Sequence, residues 1–291
     1  DTEAGTQYNV LHGYTMELDS TLFYGNITPV NKDRKLAITI NTYGEDVESV
    51  GYKIRSLEDK SLIENTEVSG YQVTDNKINV TLNIKNLLDT GKEYALEVVL
   101  KTKKHDEVYY YTRIMYGTDY DLQKKLDFVK DFNACTFDSA RLKDIGGYLE
   151  TSSVGDNTNY GKVNINCSLS QVGWGDLEPY IESEITPEII SINDDVAIIR
   201  LDYRVGAAND YSSSDTYNVN EYYRIRQANS GFYLLNFERE MNQVFDAKND
   251  LTSSAKINLG INPSTDVNCT SDEKGIYTYF VNQGSLWCFN S

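Results

Sequence analysis

The chain has 291 residues, a net charge of -17 and 40% apolar residues. A domain usually spans about 100–200 residues, so at least two are expected, and the apolar fraction is too high for a disordered chain. The charge argues against nucleic acid, whose phosphates need clustered Lys and Arg, and against an anionic membrane surface. A bilayer-spanning helix needs about 18 or more consecutive apolar residues, and no such window occurs.

Residues 1–29 read as an irregular arm, with Tyr8-Asn9-Val10-Leu11 and Thr21-Leu22-Phe23-Tyr24 as short extended pieces. The first residue is Asp1 and the opening run is polar, so an export signal or membrane anchor upstream is the expectation, and with it an extracytoplasmic location. Residues 30–117 show strand periodicity. Leu36, Ile38 and Ile40 alternate with polar residues, and so do Ile78, Val80, Leu82 and Ile84. A pleated strand places every second side chain on one face. Further strands are expected at 47–55, 61–68, 94–101 and 108–115, with a hairpin turn at Leu57-Glu58-Asp59-Lys60. Short strands at near-regular spacing point to a sandwich.

The run Leu88-Asp89-Thr90-Gly91-Lys92-Glu93-Tyr94 resembles the Leu-x-Pro-Gly-x-x-Tyr corner of fibronectin type III and related immunoglobulin-like domains. The resemblance implies an immunoglobulin-like β-sandwich in which the leucine closes the core, the glycine relieves the turn and the tyrosine hydroxyl bonds back to backbone. Thr90 stands where that pattern has proline, and Tyr52 is the nearest substitute for the tryptophan of the third strand. Leu11-His12-Gly13-Tyr14-Thr15-Met16 and Tyr109-Tyr110-Tyr111-Thr112-Arg113-Ile114 resemble stretches of anchored envelope proteins of Gram-positive anaerobic bacteria. That group brings no assigned activity to transfer.

After residue 117 the period changes. Leu122, Leu126, Val129 and Phe132 fall at helical spacing, with Asp119 or Asp121 able to cap the start. A second helix is expected over 138–149, ended by Gly146-Gly147. Strands then follow at 162–169, 189–192, 196–203, 217–225 and 232–237, and residues 207–216 read as an exposed hairpin tip. Residues 118–250 are therefore expected to form an α+β domain. Residues 251–291 form a β-hairpin tail. Its run Gly284-Ser285-Leu286-Trp287 resembles the strand start of a β-propeller blade, which cannot bury its faces alone. The fold class expected is mainly β and multi-domain.

Few residue patterns carry chemistry. Only two histidines exist, His12 in the arm and His105 in a charged hairpin tip, and no Gly-x-Ser-x-Gly elbow occurs, which argues against a Ser-His-acid hydrolase. The glycine sites Gly146-Gly147 and Gly173-Trp174-Gly175 lack the basic helix start of a phosphate loop. The cysteines Cys135, Cys167, Cys269 and Cys288 lack metal spacing. They are read as free thiols or as holding a disulfide, Cys269–Cys288 being the local pair.

Two kinds of site remain. Aromatic residues that could meet a glycan or protein partner are Trp174, Tyr180, Tyr109 and Tyr111, with Glu178, Glu182 and Glu184 near the first two. No resident cofactor is expected. Calcium takes oxygen ligands, and Asp194, Asp195, Asp210 and Asp215 supply them, although solvated hairpin tips explain the same residues. The function expected is a non-enzymatic extracytoplasmic recognition or spacer module of the cell envelope. The alternatives are a carbohydrate-binding surface using exposed Trp and Tyr, or a carbohydrate-active enzyme with paired carboxylates.

Overall fold

A computed structural model describes residues 2–3, 6–85, 87–117, 120–208, 214–245, 252–253, 256–257, 268–282 and 285–290. The protein is mainly β and multi-domain, built from several separate sheets with few helices. The chain divides into two compact units, neither continuous in sequence. The first comprises Asp1–Asn133, Thr186–Leu201 and Tyr222–Asn236. The second comprises Ala134–Ile185, Asp202–Glu221 and Phe237–Ser291.

The first unit opens with a small hairpin of Thr2–Glu3 (β1) and Thr6–Gln7 (β2). Two sheets follow. Ile27–Val30 (β3), Val47–Ser56 (β5), Leu62–Val68 (β6), Glu93–Thr102 (β9) and Val108–Tyr116 (β10) form a sheet of order β3-β10-β9-β5-β6. Only β3 runs parallel to its neighbour. Lys35–Asn41 (β4), Gln72–Thr74 (β7) and Lys77–Asn83 (β8) form the second, of order β4-β8-β7. The alternation in β8 is what the sequence predicts: Ile78, Val80 and Leu82 are buried between exposed polar neighbours. They meet Val50, Tyr52 and Ile54 of β5 and Leu96, Val98 and Leu100 of β9 in one core shared by both sheets. Full burial of each such side chain contributes about 1.5–3 kcal/mol. Tyr52 donates its hydroxyl to Glu64, 2.5 Å away, and Glu64 also accepts the Lys85 amide. Burial first and this carboxylate second raise the Tyr52 hydroxyl well above its ordinary value.

The corner before β9 is built from the residues that suggested it. Leu88 is buried in the core. The Tyr94 hydroxyl accepts the Asp89 amide at 2.9 Å. Gly91 adopts φ +75 and donates its amide to Tyr116 at 2.8 Å. A side chain at Gly91 would be strained in that left-handed conformation.

Residues 8–24, the arm, lie against the outward face and outer edge of β10. Tyr14 and Tyr109 exchange backbone bonds of 2.9 and 2.8 Å, before β3 takes over the same edge from Arg113 onward. Instead of a second extended piece, Ser20–Leu22 forms a 3-10 turn, because the Asp19 carboxylate accepts the Thr21 amide and caps it. Asn9 anchors the arm. Its side-chain amide donates to Ile27 and Thr28, and its carbonyl accepts the Ile189 amide of Thr186–Ile192 (β13).

Leu122–Thr136 (α1) buries Leu122, Leu126, Val129 and Phe132, the stripe read from the sequence. Asp119 lies outside the described residues. The expected second helix is shorter and tighter: Leu142–Tyr148 is a 3-10 helix. The Asp138 carboxylate bonds the Ala140 amide, and the glycine pair weakens α-helix formation, so local turns prevail.

The third sheet has the order β11-β16-β15-β14-β12, with β13 also pairing β14. Its strands are Lys162–Asn164 (β11), Tyr180–Ile181 (β12), Val196–Ala208 (β14), Ser214–Ala228 (β15) and Gly231–Gln243 (β16). β11 stops early because Ser168 caps the short helix Leu169–Val172 (α2). The strands β14 to β16 run longer than their apolar segments suggest. Another pair, Thr252–Ser253 (β17) and Lys256–Ile257 (β18), forms a hairpin. In place of a simple hairpin, the tail is a three-stranded sheet of Cys269–Ser271 (β19), Tyr277–Asn282 (β20) and Ser285–Asn290 (β21). Phe280 and Trp287 pack on Phe245 from one face of it.

All four cysteines are free. Cys269 and Cys288 lie on the two strands that flank β20, opposite the adjacent residues Phe280 and Tyr279. They therefore sit on opposite faces, two strand spacings of about 4.8 Å apart, beyond the roughly 7 Å that a disulfide spans. No helix among the described residues is long and apolar enough to cross a membrane.

Candidate functional site

A groove of about 430 Å³ lies across three neighbouring strands of the second unit. Strand alternation builds it. On β14, Asp202 and Arg204 face outward while Tyr203 and Val205 are buried. On β15, Asn218 and Asn220 alternate with the buried Val219 and Glu221, and on β16, Glu240 follows the buried Arg239. Cross-strand bonds hold these groups in register. Arg204 Nε donates to Asn218 Oδ1 at 3.2 Å, the Asn220 amide donates to Asp202, and Lys162 lies 3.5 Å from Glu240. At the rim, Ser183 Oγ accepts the Arg204 amide, and Glu182 accepts the Thr216 hydroxyl.

Tyr180 shares this face. It pairs directly with Gly206, two residues beyond Arg204. A Cβ at Gly206 would lie 2.3 Å from Tyr180 Cζ, so the ring lies across the bare backbone there. Opposed residues of an antiparallel pair put their side chains on one face, which sets the ring beside the groove with half of its surface exposed.

The floor is stiff. Beneath the groove, Arg239 and Glu221 are fully buried with 3.8 Å between their charged atoms. Arg239 donates to the Val172 and Gln171 carbonyls at 2.9 and 3.0 Å and stacks 3.4 Å over the Trp174 ring. Trp174, held at φ +69 between Gly173 and Gly175, donates its indole N–H to Thr136. Ser168, Gln171 and Val172 position this layer because α2 ends with two carbonyls directed at the guanidinium.

The other residues expected to form sites have different surroundings. Trp174 is 1% exposed, and Tyr109 and Tyr111 are 7% and 5% exposed, so neither group offers a ring face to solvent. Tyr110 packs on the sandwich core. The arm covers Tyr109 and Tyr111: Phe23 stacks on Tyr111 at 4.4 Å, and Leu18 donates its amide to the Tyr111 hydroxyl. Glu107 accepts the Tyr109 hydroxyl and, with burial, raises it to about 12. A second groove, of about 370 Å³, runs along the arm, but Glu17 and Glu97 are tied to Lys53, and Asp19 to Lys60. Burial lowers the Lys53 ammonium, yet its two carboxylates outweigh that and hold it above its ordinary value.

The oxygens near Asp194 already serve a cation. Lys125, fully buried, donates to the carbonyls of Tyr120, Asn193 and Asp194 at 2.7, 2.6 and 2.9 Å. Asp195 is exposed, and its amide closes a turn onto the Asn193 side chain. Asp215 is half-buried at the start of β15, and Asp210 lies outside the described residues. Among the described residues no three His, Cys, Asp or Glu side chains gather as a metal-ion site. Glu178, Glu182 and Glu184 are exposed, and Glu182 alone of them joins the groove rim.

Sequence reasoning missed Asp202, Arg204, Asn218, Asn220 and Glu240. The alternation in Asp202-Tyr203-Arg204 and Asn218-Val219-Asn220 marks an outward polar face, but not which strands would be neighbours. No protein-family model matches the chain, and no curated protein matches it in sequence.

Proposed function

We propose that the chain is a non-enzymatic, extracytoplasmic recognition module of a cell-envelope protein. One observation carries this reading: an open polar groove with an exposed aromatic ring lies on a long-stranded sheet whose underside is fixed by buried Arg239, Glu221 and Trp174. Such preorganisation favours binding because little side-chain order is lost when a partner docks.

Residues 30–117 of the first unit are read as an immunoglobulin-like scaffold of the fibronectin type III kind. The strand order β6-β5-β9-β10 opposite β4-β8, with the Tyr94 hydroxyl closing a corner on Asp89, supports that reading. The three-stranded tail, with Trp287 against Phe245, is read as the start of a propeller blade. Fold alone assigns no ligand, so recognition rests on the groove. The net charge of -17 favours an uncharged or cationic partner over nucleic acid.

The test is paired. The protein is incubated with glycan, ester and peptide substrates, and its retention on isolated envelope material is measured in parallel. Retention lost on Arg204→Ala with every substrate left intact supports the reading. Robust turnover abolished by one carboxylate substitution overturns it.

A further inference from the structure

We infer that the groove between the arm and the outer face of the sandwich binds a free α-amino acid. Arg55 takes its carboxylate, and Glu17 and Glu97 take its ammonium. The site is separate from the groove on β14, β15 and β16 and does not rest on the recognition reading.

Strand pairing sets the charged groups out. In the β5–β9 pair, Lys53 stands opposite Glu97 and Arg55 opposite Ala95. Alternate residues of a strand share a face, and opposed residues of an antiparallel pair do so too. Lys53, Arg55 and Glu97 therefore share the face turned away from the core, which Tyr52, Ile54, Leu96 and Val98 fill from the other side. Arg55 and Glu97 are diagonal neighbours, a relation that sets such residues about 7–8 Å apart. Glu17, Leu18 and Asp19 of the arm form the opposite wall of the groove.

The ion pairs leave two charges over. Lys53 donates to Glu97 at 2.8 Å and to Glu17 at 2.9 Å, so one ammonium serves two carboxylates. Lys60 and Asp19 cancel each other at 2.7 Å. Arg55 forms no ion pair among the described residues, and its guanidinium makes only a 3.5 Å contact to the Lys60 carbonyl. The Glu97 side chain is 2% exposed, with Oε1 on Lys53 and no partner for Oε2 among the described residues. A buried charge without full compensation is costly. The groove thus holds one surplus negative and one surplus positive charge, and the two do not meet.

A ligand that carries both charges closes this gap. A guanidinium donates two parallel bonds to a planar carboxylate, and an ammonium has three donors to divide between Glu97 and Glu17. An α-amino acid holds these two groups on one carbon, and Leu18 gives its side chain an apolar wall. The volume of about 370 Å³ falls within the range of about 300–1,000 Å³ typical of small-ligand sites. A simple anion at Arg55 would meet the surplus carboxylate, and a simple cation at Glu97 would meet the guanidinium.

The experiment is calorimetric titration of the full chain at pH 7 with the common free L-amino acids. The tightest binder is then compared with its N-acetyl form, which lacks the ammonium, and its amide, which lacks the carboxylate. The expected result is binding of the free amino acid, with each blocked form at least about tenfold weaker, the worth of one charged hydrogen bond. Arg55→Gln should weaken the free amino acid by the same factor and abolish its advantage over the amide, which a general loss of structure would not do. Glu17→Gln keeps the Lys53–Glu97 pair, removes the surplus negative charge and should weaken binding about fivefold, as for an exposed ion pair. Circular dichroism establishes that both variants are folded. Silence across the panel overturns the inference, as does a blocked form that binds as tightly as the free one. Binding that either variant retains in full overturns it as well.

Discussion

The sandwich of the first unit and the layer beneath the groove of the second solve the problem of an interior in different ways. The sandwich is filled by aliphatic side chains and tyrosines in strand alternation, and its buried carboxylate Glu64 is satisfied at the edge by a hydroxyl and a backbone amide. Beneath the groove, an arginine is itself the centrepiece: Arg239 touches Trp174, two carbonyls and Glu221 with no exposure to water. An aliphatic core tolerates repacking because its packing forces are non-directional. A buried charge fixes one geometry, since removing either partner leaves the other desolvated without compensation. The contrast suggests a division of labour, with a tolerant scaffold in one unit and a rigid base for a binding face in the other.

The largest effect should come from breaking that base. Arg239→Ala leaves Glu221 buried without its cation, and the expected loss is about 3–5 kcal/mol. Urea unfolding followed by tryptophan fluorescence measures it. Replacing the pair together, Arg239→Met with Glu221→Leu, should recover most of that stability while loosening the groove. A single Arg239→Ala variant as stable as the parent would remove the contrast between the two interiors.

A smaller effect is expected in the sandwich. Tyr94→Phe removes one bond to the Asp89 amide and keeps the ring in the core, a loss of about 1 kcal/mol. A loss several times larger would mean that the corner is as geometrically demanding as the Arg239 layer.

The smallest effect is in the arm. Bonds from Lys60 and then Thr21 hold the Asp19 carboxylate at about 2, below its ordinary 3.8. A carboxylate depressed on folding stabilises above its unfolded value and loses that contribution as pH falls through the folded one. The Lys60 tether should therefore release as the pH drops from 3.8 towards about 2, detected as faster exchange of the Leu18 amide. Asp19→Asn should lack that step, and an identical acid profile in both proteins would sever the link between Asp19 and the arm.

The sequence makes the local features legible and conceals the distant ones. The alternation of Ile78, Val80 and Leu82, the helical stripe of α1 and the Leu88–Tyr94 corner are all set within about a dozen residues, where period and turn chemistry act directly. The burial of Tyr109 and Tyr111 depends on an arm almost a hundred positions away, and no local pattern marks a partner that distant. Trp174 looks like a sugar platform until Arg239 is found stacked upon it. The groove needs three strands side by side and a tyrosine that crosses a glycine. Of these, only the outward alternation of Asp202, Arg204, Asn218 and Asn220 is written locally.

The anchoring of the arm bears on the order in which the molecule can assemble. Asn9 leaves a growing chain long before one of its partners, the Ile189 amide, which lies 180 positions later. The sandwich strands between them are complete once Tyr116 has been made, and they can close through loops of much shorter length. Throughout that interval the cover over Tyr109 and Tyr111 is held by its bonds to β3 and β10 alone, without the tie to β13. During synthesis an early-made segment thus receives its last bond only after far later residues exist, and until then the aromatic face beneath it is the surface that a nascent chain must keep from associating with others.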